Sequence, residues 1–306
     1  MGKKIFITLF FVTQFSSNLF SIGTRTLTIQ DSITHKPIPY VNAYFGNLRG
    51  TYADESGIVE VPDSVTILYL SHISYEKKEI QLKLYRDNII LLRPADNNLP
   101  EISVLPSQKN NPTEFVGLFK EKIKTSYIGV NGFFAALYIP YKRNRDEFPY
   151  YIQSIMANFR SLKVPQKGGK LIPAKLRFDL RLPDKETQAP TEYSLIEGGI
   201  IYDPGKKNGV KEINLPTPIL FPEEGIFIVV EWISSEHVKN KDLLIPCIGG
   251  VTLEDECNTW IKRSFRGEDW ILSSKDKGSI SFNEMYLNGK TGNLAVGLKL
   301  LYENDK

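Results

Sequence analysis

The sequence predicts an all-β protein built from two sandwiches, and three observations point to this fold. From Thr26 onward, apolar residues alternate or come in short runs, such as PYVNAYF and VTILYL, separated by Gly, Pro, Asn and Asp. These runs are rich in β-branched and aromatic residues and are too short for typical helices. The chain has 306 residues, of which 42% are hydrophobic, so it can fill two ordinary cores.

Residues 1–23 have the layout of a secretory signal peptide. Lys3 and Lys4 precede an apolar stretch from Ile5 to Val12, and small residues follow it. This stretch is shorter than the roughly 20 residues that a membrane span requires, and no later segment is long and apolar enough. We therefore expect an exported chain whose mature form has no transmembrane segment; the alternative is that the first segment remains as an anchor.

Residues 24–106 predict the first sandwich, because the strand-like runs TLTIQ, PYVNAYF, GIVEV, VTILYL, EIQLKL and NIILL follow one another closely. Between two of these runs lies Asp54-Glu55-Ser56-Gly57. Asp and Ser side chains can cap backbone N–H groups, and Gly accepts a positive φ. We expect a tight turn there, with Gly57 in the left-handed conformation.

The same region resembles a known family. The run THKPIPYVNAYFGNLRGTYADESGIVEVP, followed by LYLSHISYEKKEIQL, NIILLRP and LPEISVLP, is similar to the carboxypeptidase regulatory-like domain. The resemblance covers residues 24–106 and implies a prealbumin-like sandwich of seven strands. The chain departs from the family pattern at Ser74, where Gly usually precedes the residue that is Tyr75 here.

The family name does not imply zinc chemistry in this chain. A metallocarboxypeptidase needs a His-x-x-Glu pair and a distant His to hold the metal. The histidines are His35, His72 and His237, and none has Glu three residues later. We expect no metal and no other cofactor.

The pattern of residues 107–128 predicts a linker followed by a short connecting helix. Asn111 can cap the helix and Pro112 suits its first position. One apolar face of this amphipathic helix would consist of Phe115, Leu118, Phe119 and Ile123.

Residues 129–306 predict a larger, jelly-roll-like antiparallel sandwich. LRFDLRL alternates between apolar residues and Arg177, Asp179 and Arg181, as a half-buried antiparallel strand does. IFIVVEWI is apolar nearly throughout, which indicates a strand covered on both sides. The order YYIQSIMANF, AKLRFDLRLPD, GGIIYDPG and INLPTPILFPEEGIFIVVEWI, with its FPEEG turn, also resembles a carboxy-terminal sandwich found beside regulatory-like domains in Gram-negative envelope proteins.

The net charge and the motifs of the chain restrict the functions that it could have. The 38 basic and 35 acidic residues give +3, and loss of Lys3 and Lys4 leaves 36 against 35, which does not favour nucleic-acid binding. The Gly-x-Ser-x-Gly motif of elbow-type serine hydrolases is absent. Carboxylates at Glu223–Glu224, Glu254–Glu256 and Glu268–Asp269 could form a glycosidase pair or a calcium site, but such loop clusters are usually solvated. We expect no enzymatic activity.

Two local features remain open at the level of sequence. Cys247 and Cys257 could form a disulfide in an oxidising compartment or stay as two separate thiols. In CNTWIKRSFRGEDW, Trp260, Phe265 and Trp270 could form a ligand or partner surface, or they could fill a core.

Together these features predict a non-enzymatic exported protein, located in the periplasm, at the outer membrane or on the cell surface. It would act as a binding or assembly module whose partner is an envelope protein or a glycan, and one form of this hypothesis is an accessory of an outer-membrane complex. The alternatives are a carbohydrate-binding protein that uses the second sandwich and a secreted hydrolase with a carboxylate pair.

Overall fold

The prediction of an all-β fold is confirmed. The computed structural model describes residues 23–46, 49–95, 112–130, 132–141, 149–161, 169–205, 208–236, 238, 242–253, 257–277 and 291–302. Within these ranges the chain is mostly strand, and no helix reaches seven residues. The 3₁₀ turns Ser264–Arg266 and Ser273–Lys275 are examples of the short helical pieces. The predicted signal peptide lies outside the described residues, apart from Gly23.

The first sandwich has seven strands in two sheets, as predicted. A three-stranded sheet has the order β4-β1-β7, and a four-stranded sheet has the order β3-β2-β5-β6. Strand β7 pairs with β1 in parallel, whereas the other named pairs in these two sheets are antiparallel. The strands are β1 (Thr24–Asp31), β2 (Asn42–Tyr44), β3 (Gly50–Tyr52), β4 (Ile58–Pro62), β5 (Ile67–His72), β6 (Tyr75–Gln81) and β7 (Ile89–Leu92).

Alternation along the strands builds the core of the first sandwich. Leu27 and Ile29 on β1 point inward, as do Leu68 and Leu70 on β5, while their neighbours are more exposed. Because side chains alternate between the faces of a strand, one apolar face of each sheet meets the other and leaves water together.

The second sandwich consists of a six-stranded sheet with the order β14-β13-β16-β10-β18-β19 and an eight-stranded sheet. In the latter, β12-β17-β11-β21-β8 form a path, β15 pairs with β11, and β9 and β20 pair with β17. The strands are β8 (Thr113–Gly117), β9 (Thr125–Gly129), β10 (Phe133–Ile139), β11 (Tyr150–Arg160), β12 (Leu171–Pro173), β13 (Lys175–Arg181), β14 (Ile200–Tyr202), β15 (Gly209–Leu220), β16 (Ile226–Ile233), β17 (Leu243–Leu253), β18 (Thr259–Arg263), β19 (Ile271–Leu272), β20 (Thr291–Leu294) and β21 (Val296–Tyr302).

A single large apolar cluster fills the space between these two sheets. It includes Phe178 of β13 and Trp232 of β16 from one sheet, and Phe159 of β11 from the other. Every residue of β16 is buried, so the prediction that IFIVVEWI is covered on both sides is confirmed. Both faces of the six-stranded sheet are therefore packed at its centre.

The predicted connecting helix in residues 107–128 is wrong. Pro112 begins an extended segment, and β8 and β9 belong to the eight-stranded sheet. Val116 on β8 packs against the core while Phe115 is 41% exposed, which is the period of a strand. Hydrogen bonding between β8 and β21 determines the conformation of this segment, although its local capping residues favour a helix. Asn111 lies outside the described residues.

The prediction that β13 is half-buried is also wrong. Arg177, Asp179 and Arg181 alternate with the apolar residues as expected, yet they are only 5%, 1% and 7% exposed. The outer face of the six-stranded sheet is covered, and part of the cover is the first sandwich.

The two cysteines are not bridged in this structure. Cys247 is a buried thiol on β17, and burial raises the pKa of its thiol to about 11. Cys257 is half-buried and lies 3.2 Å from the hydroxyl of Ser273. The alternative of two separate thiols therefore describes this fold. None of the helices in the described ranges is long and apolar enough to cross a membrane.

The turn before β4 yields a stability prediction. Gly57 has φ +72°, as expected, and the Asp54 carboxylate accepts hydrogen bonds from the N–H groups of Ser56 and Ile58 at 2.8 and 2.9 Å. A Cβ on Gly57 would lie 2.7 Å from the Ile29 carbonyl oxygen.

We expect Gly57→Ala to lower the free energy of unfolding by about 1–3 kcal/mol, because it adds this clash to left-handed strain. Gly46→Ala is the matched control, since Gly46 has φ +81° but open space around the missing Cβ. Urea unfolding measures both variants. Equal losses would contradict the role of the close contact.

Candidate ligand groove between the sandwiches

A small apolar cluster joins the two sandwiches. Tyr52 of β3 and Phe265, in the turn after β18, have ring centroids 5.6 Å apart, and both pack with Ile233 at the end of β16. Tyr44 of β2 also stacks on Phe265, with ring centroids 6.4 Å apart and nearly parallel rings. These aromatic groups supply the apolar part of the interface.

A buried carboxylate joins the two sandwiches through hydrogen bonds. Glu231 on β16 is 3% exposed. It accepts a hydrogen bond from the Tyr52 hydroxyl of the first sandwich at 3.0 Å and from Arg177 Nη1 of the neighbouring strand at 2.8 Å. Burial raises the pKa of Glu231 although Arg177 and Tyr52 favour its charged form, and burial together with Glu231 raises the pKa of Tyr52 well above its usual value.

Arg177 also reaches directly across the interface. Its Nη2 donates to the backbone carbonyl of Tyr40 at 3.0 Å. Tyr40 has φ +57°, a conformation that non-glycine residues rarely adopt. Lys175 donates to the Tyr40 hydroxyl at 2.9 Å and also pairs with Glu55. Residues on alternate positions of β13 thus hold this strained turn of the first sandwich in place.

Ser74, the position that departs from the regulatory-like pattern, takes part in the same interface. Its hydroxyl accepts a hydrogen bond from the N–H of Gly198 at 2.8 Å. Gly198 belongs to the connection between β13 and β14 of the second sandwich. A glycine at position 74 would have no side chain to make this contact.

The connection between β13 and β14 is itself anchored by buried charges. Arg181 Nε donates to the Asp179 carboxylate at 2.6 Å, and Ser194 donates to the same carboxylate. Arg181 Nη1 donates to the Thr191 carbonyl at 3.2 Å. Burial raises the pKa of Asp179. The anchored segment carries Tyr193 toward solvent.

A row of side chains crosses the outer face of the six-stranded sheet. Arg177, Glu231, Phe134 and Lys262 stand opposite one another on β13, β16, β10 and β18. Lys262 pairs with Glu192 at 2.7 Å.

Glu192 extends this row to the first sandwich, because it also lies 3.3 Å from Lys77 of β6. Burial alone would raise the pKa of Glu192. The charges of Lys262 and Lys77 together have the larger effect, and they lower this pKa to about 2. The carboxylate is therefore charged at neutral pH and links the two sandwiches from the outside.

A groove of about 970 Å³ lies along this interface. Its first wall comes from β2, β5 and β6, and its second wall comes from the outer face of the six-stranded sheet and the segment before β14. The aromatic residues that line it are Tyr44, Tyr69, Tyr75, Phe134, Tyr193 and Trp270. Tyr69 and Tyr193 are 41% and 65% exposed, so both walls present aromatic rings to solvent.

Two residues that line the groove each carry a buried N–H donor without a partner. In the part of the chain that the structure describes, three buried side-chain N or O atoms have none: Gln153 Oε1, Arg177 Nε and Trp270 Nε1. Arg177 and Trp270 both line the groove. Buried polar groups are nearly always satisfied, so two unsatisfied donors at one groove call for acceptor oxygens there.

The three predicted aromatic residues have different positions. Phe265 is 4% exposed between the sandwiches, so it belongs to the interdomain contact and not to an exposed surface. Trp260 is half-buried, and its ring meets Phe227 edge-on at 6.4 Å. Trp270 is half-buried, meets Phe134 edge-on at 6.1 Å and lines the groove. Of the three, only Trp270 lines this groove.

Sequence reasoning missed Tyr69 and Tyr193. Each is a single tyrosine in a segment far from Trp270, and no local pattern marks it. The one signal that bears on this wall is the apolar strand IFIVVEWI, because a strand covered on both sides requires a cover on the outer face of its sheet.

The carboxylates proposed as alternatives are placed as follows. Glu223 and Glu224 are exposed in the turn before β16, and Glu268 pairs with Arg263 at 3.0 Å beside the groove. Glu254–Glu256 lie outside the described residues. Within the described ranges, no three or more His, Cys, Asp or Glu side chains are grouped so that they could hold a metal ion.

His72 lies in the groove wall as a neutral base. Its Nδ1 accepts a hydrogen bond from the N–H of Ser74 at 3.2 Å, which requires that nitrogen to be unprotonated. Burial lowers the pKa of His72 well below its usual value, and the positive charge of Arg177 lowers it further.

Comparison with known proteins gives no assignment: no family model, no curated protein and no solved structure matches the chain.

The buried carboxylate leads to a prediction about coupling between the sandwiches. Glu231→Gln leaves Arg177 buried without a countercharge, so we expect it to lower the free energy of unfolding by about 3–5 kcal/mol. Glu55→Gln removes the exposed pair with Lys175 and should cost less than about 1 kcal/mol.

Urea unfolding tests this pair of variants. All three tryptophans lie in the second sandwich, so their fluorescence reports on it, whereas far-ultraviolet circular dichroism reports on both. We expect coincident transitions in the wild type and separate ones in Glu231→Gln. A Glu231→Gln variant as stable as Glu55→Gln would contradict the proposed role of Glu231.

A pH dependence follows from His72. Its pKa in the folded protein is below the value of about 6.5 in an unfolded chain, so the unfolded state binds the proton more readily. The stabilising contribution is complete above pH 6.5 and decreases as the pH falls below it. We expect the difference in unfolding free energy between wild type and His72→Gln to change from pH 7 to pH 5, with wild type losing more. Parallel pH profiles would contradict this.

Proposed function

We propose that this protein is an exported, non-catalytic binding module of the cell envelope whose binding site is the groove between its two sandwiches. The observation that carries the proposal is the groove itself: aromatic side chains from both sandwiches line it, and buried polar contacts hold its walls together. Its partner would be an envelope component, and an accessory role in an outer-membrane complex is one form of the proposal.

The position and lining of the groove support a binding role. Ligand sites often lie at domain interfaces, where apolar and aromatic walls carry a few placed polar groups. Tyrosine and tryptophan dominate the energy of many protein surfaces that bind partners. Tyr69 and Tyr193 belong to the walls of the groove, yet their side chains are exposed to solvent. Exposed rings of this kind suit a surface that a ligand covers.

Export and family membership rest on the sequence. The two lysines and the apolar stretch within residues 1–23 favour a signal peptide, and the sequence of residues 24–106 favours the regulatory-like family. The seven-stranded, two-sheet arrangement of the first sandwich is compatible with that family.

The state of the carboxylates favours binding over hydrolysis. Glu192 is held by two lysines with its pKa near 2, which does not suit a general acid. Glu231 has a raised pKa, but both of its oxygens are engaged in the interdomain contact. The hydrolase alternative would have to use two of the other carboxyls that line the groove, Glu76, Glu79, Glu268 and Asp269, of which Glu268 is paired with Arg263.

Cross-linking and affinity purification of the tagged protein from its native envelope test the proposal. We expect a partner to be recovered with the wild type and lost with the double variant Tyr69→Ala and Tyr193→Ala, because these changes remove exposed rings that belong to none of the apolar core clusters. Leu84→Ala is the matched control, since Leu84 is 78% exposed and does not line the groove. Recovery that is unchanged in the double variant, or cytoplasmic fractionation, would contradict the proposal.

A further inference from the structure

We infer that the ligand of the groove is a neutral carbohydrate chain, which stacks on the aromatic rings of its two walls. This inference rests on the proposed function and gives the chemical class of the ligand. Three independent observations favour it: the aromatic lining, the balance of charge and the unsatisfied N–H donors.

The aromatic lining suits sugar rings. A pyranose has an apolar face of C–H groups that packs against an aromatic face, while its hydroxyls point sideways to polar neighbours. Tyr69 on β5 and Tyr193 before β14 offer such faces from opposite sandwiches, and Trp270 lies on the same side as Tyr193. Polar side chains line the groove together with these rings.

The charge balance argues for a neutral ligand. The residues that line the groove include six acidic side chains (Asp or Glu) and five basic ones (Lys or Arg), and six against five gives a net charge of −1 with His72 neutral. Seven of these eleven charges are paired: Glu192 with Lys77 and Lys262, Glu231 with Arg177, Arg181 with Asp179, and Glu268 with Arg263. The groove therefore has little net field to attract either an anionic or a cationic chain.

The unsatisfied donors argue for a ligand rich in oxygen. Arg177 Nε and Trp270 Nε1 each need an acceptor, and the side chain of Arg177 is only 5% exposed. Hydroxyl and ring oxygens of a sugar supply acceptors without charge. Because both nitrogens are closed off from solvent, a sugar oxygen reaches them only when neighbouring side chains shift. Binding should therefore change the environment of Trp270.

The experiment is titration of the purified full chain with neutral hexasaccharides: gluco-, manno-, galacto- and xylo-oligosaccharides. Hexagalacturonate serves as the acidic comparator. Isothermal calorimetry measures affinity, and tryptophan fluorescence, compared between the wild type and Trp270→Phe, measures the change around Trp270. We expect one neutral class to bind and to shift the fluorescence, and hexagalacturonate to bind at least tenfold more weakly.

Two groove variants and one control decide where the sugar binds. Tyr69→Ala and Trp270→Phe should each weaken binding about tenfold or more, the first by removing an exposed ring and the second by removing the N–H donor. Trp260→Phe should leave the affinity unchanged, because Trp260 lies on the same face of the sheet and does not line the groove. The circular dichroism spectrum of each variant checks its fold.

Several results would overturn the inference: no binding by any neutral oligosaccharide, tighter binding of hexagalacturonate, or binding that neither groove variant weakens. If no sugar binds while envelope purification recovers a partner that depends on Tyr69 and Tyr193, the inference fails and the proposed function stands. If a neutral sugar binds at the groove but no protein partner is recovered, the inference stands and the assembly form of the proposed function fails.

Discussion

The carboxylate of Glu231 is the point on which the architecture depends, because it contacts the first sandwich directly and also holds Arg177, which reaches Tyr40 of that sandwich. One carboxylate oxygen accepts from Arg177 on the neighbouring strand and the other from Tyr52 of the first sandwich. Removing three polar groups from water is costly, and such contacts seldom add much net stability. Their effect is selective: only one arrangement of the two sheets satisfies all of them. Tyr52, Ile233 and Phe265 supply the apolar driving force around this contact, and the groove follows from the resulting fixed geometry.

Local sequence patterns were sufficient for most of the fold. Alternating apolar residues predicted β1, β5 and β13, the uninterrupted apolar run predicted β16, and the turn chemistry predicted the left-handed Gly57. The segment around β8 was the failure. Its proline and capping residues fit the start of a helix, but pairing with β21 determines its conformation. The paired residues are 180 to 188 positions apart, so the pairing leaves no local trace in the sequence.

The site was only partly predictable. Trp270 stood out because it lies in a dense run of aromatic and charged residues, and the same run drew attention to Phe265, which turned out to be interdomain packing. Tyr69 and Tyr193 become neighbours of one groove only through the docking of the sandwiches. The buried charges of β13 were the least expected feature, because an alternating polar face ordinarily meets water. A second domain replaced the water, and single-sequence periodicity does not distinguish these two surroundings.

The covered polar face of β13 has an evolutionary consequence. Sandwich domains often occur in different combinations as independently folding units, because their outer faces are solvated and do not depend on contacts with a neighbouring domain. Here Arg177 and Glu231 need Tyr40 and Tyr52, and Gly198 needs Ser74, so exchange of either sandwich for a relative would strand charged or polar groups at the junction. The two sandwiches are thus expected to be inherited together, with substitutions on one side of the junction matched by substitutions on the other.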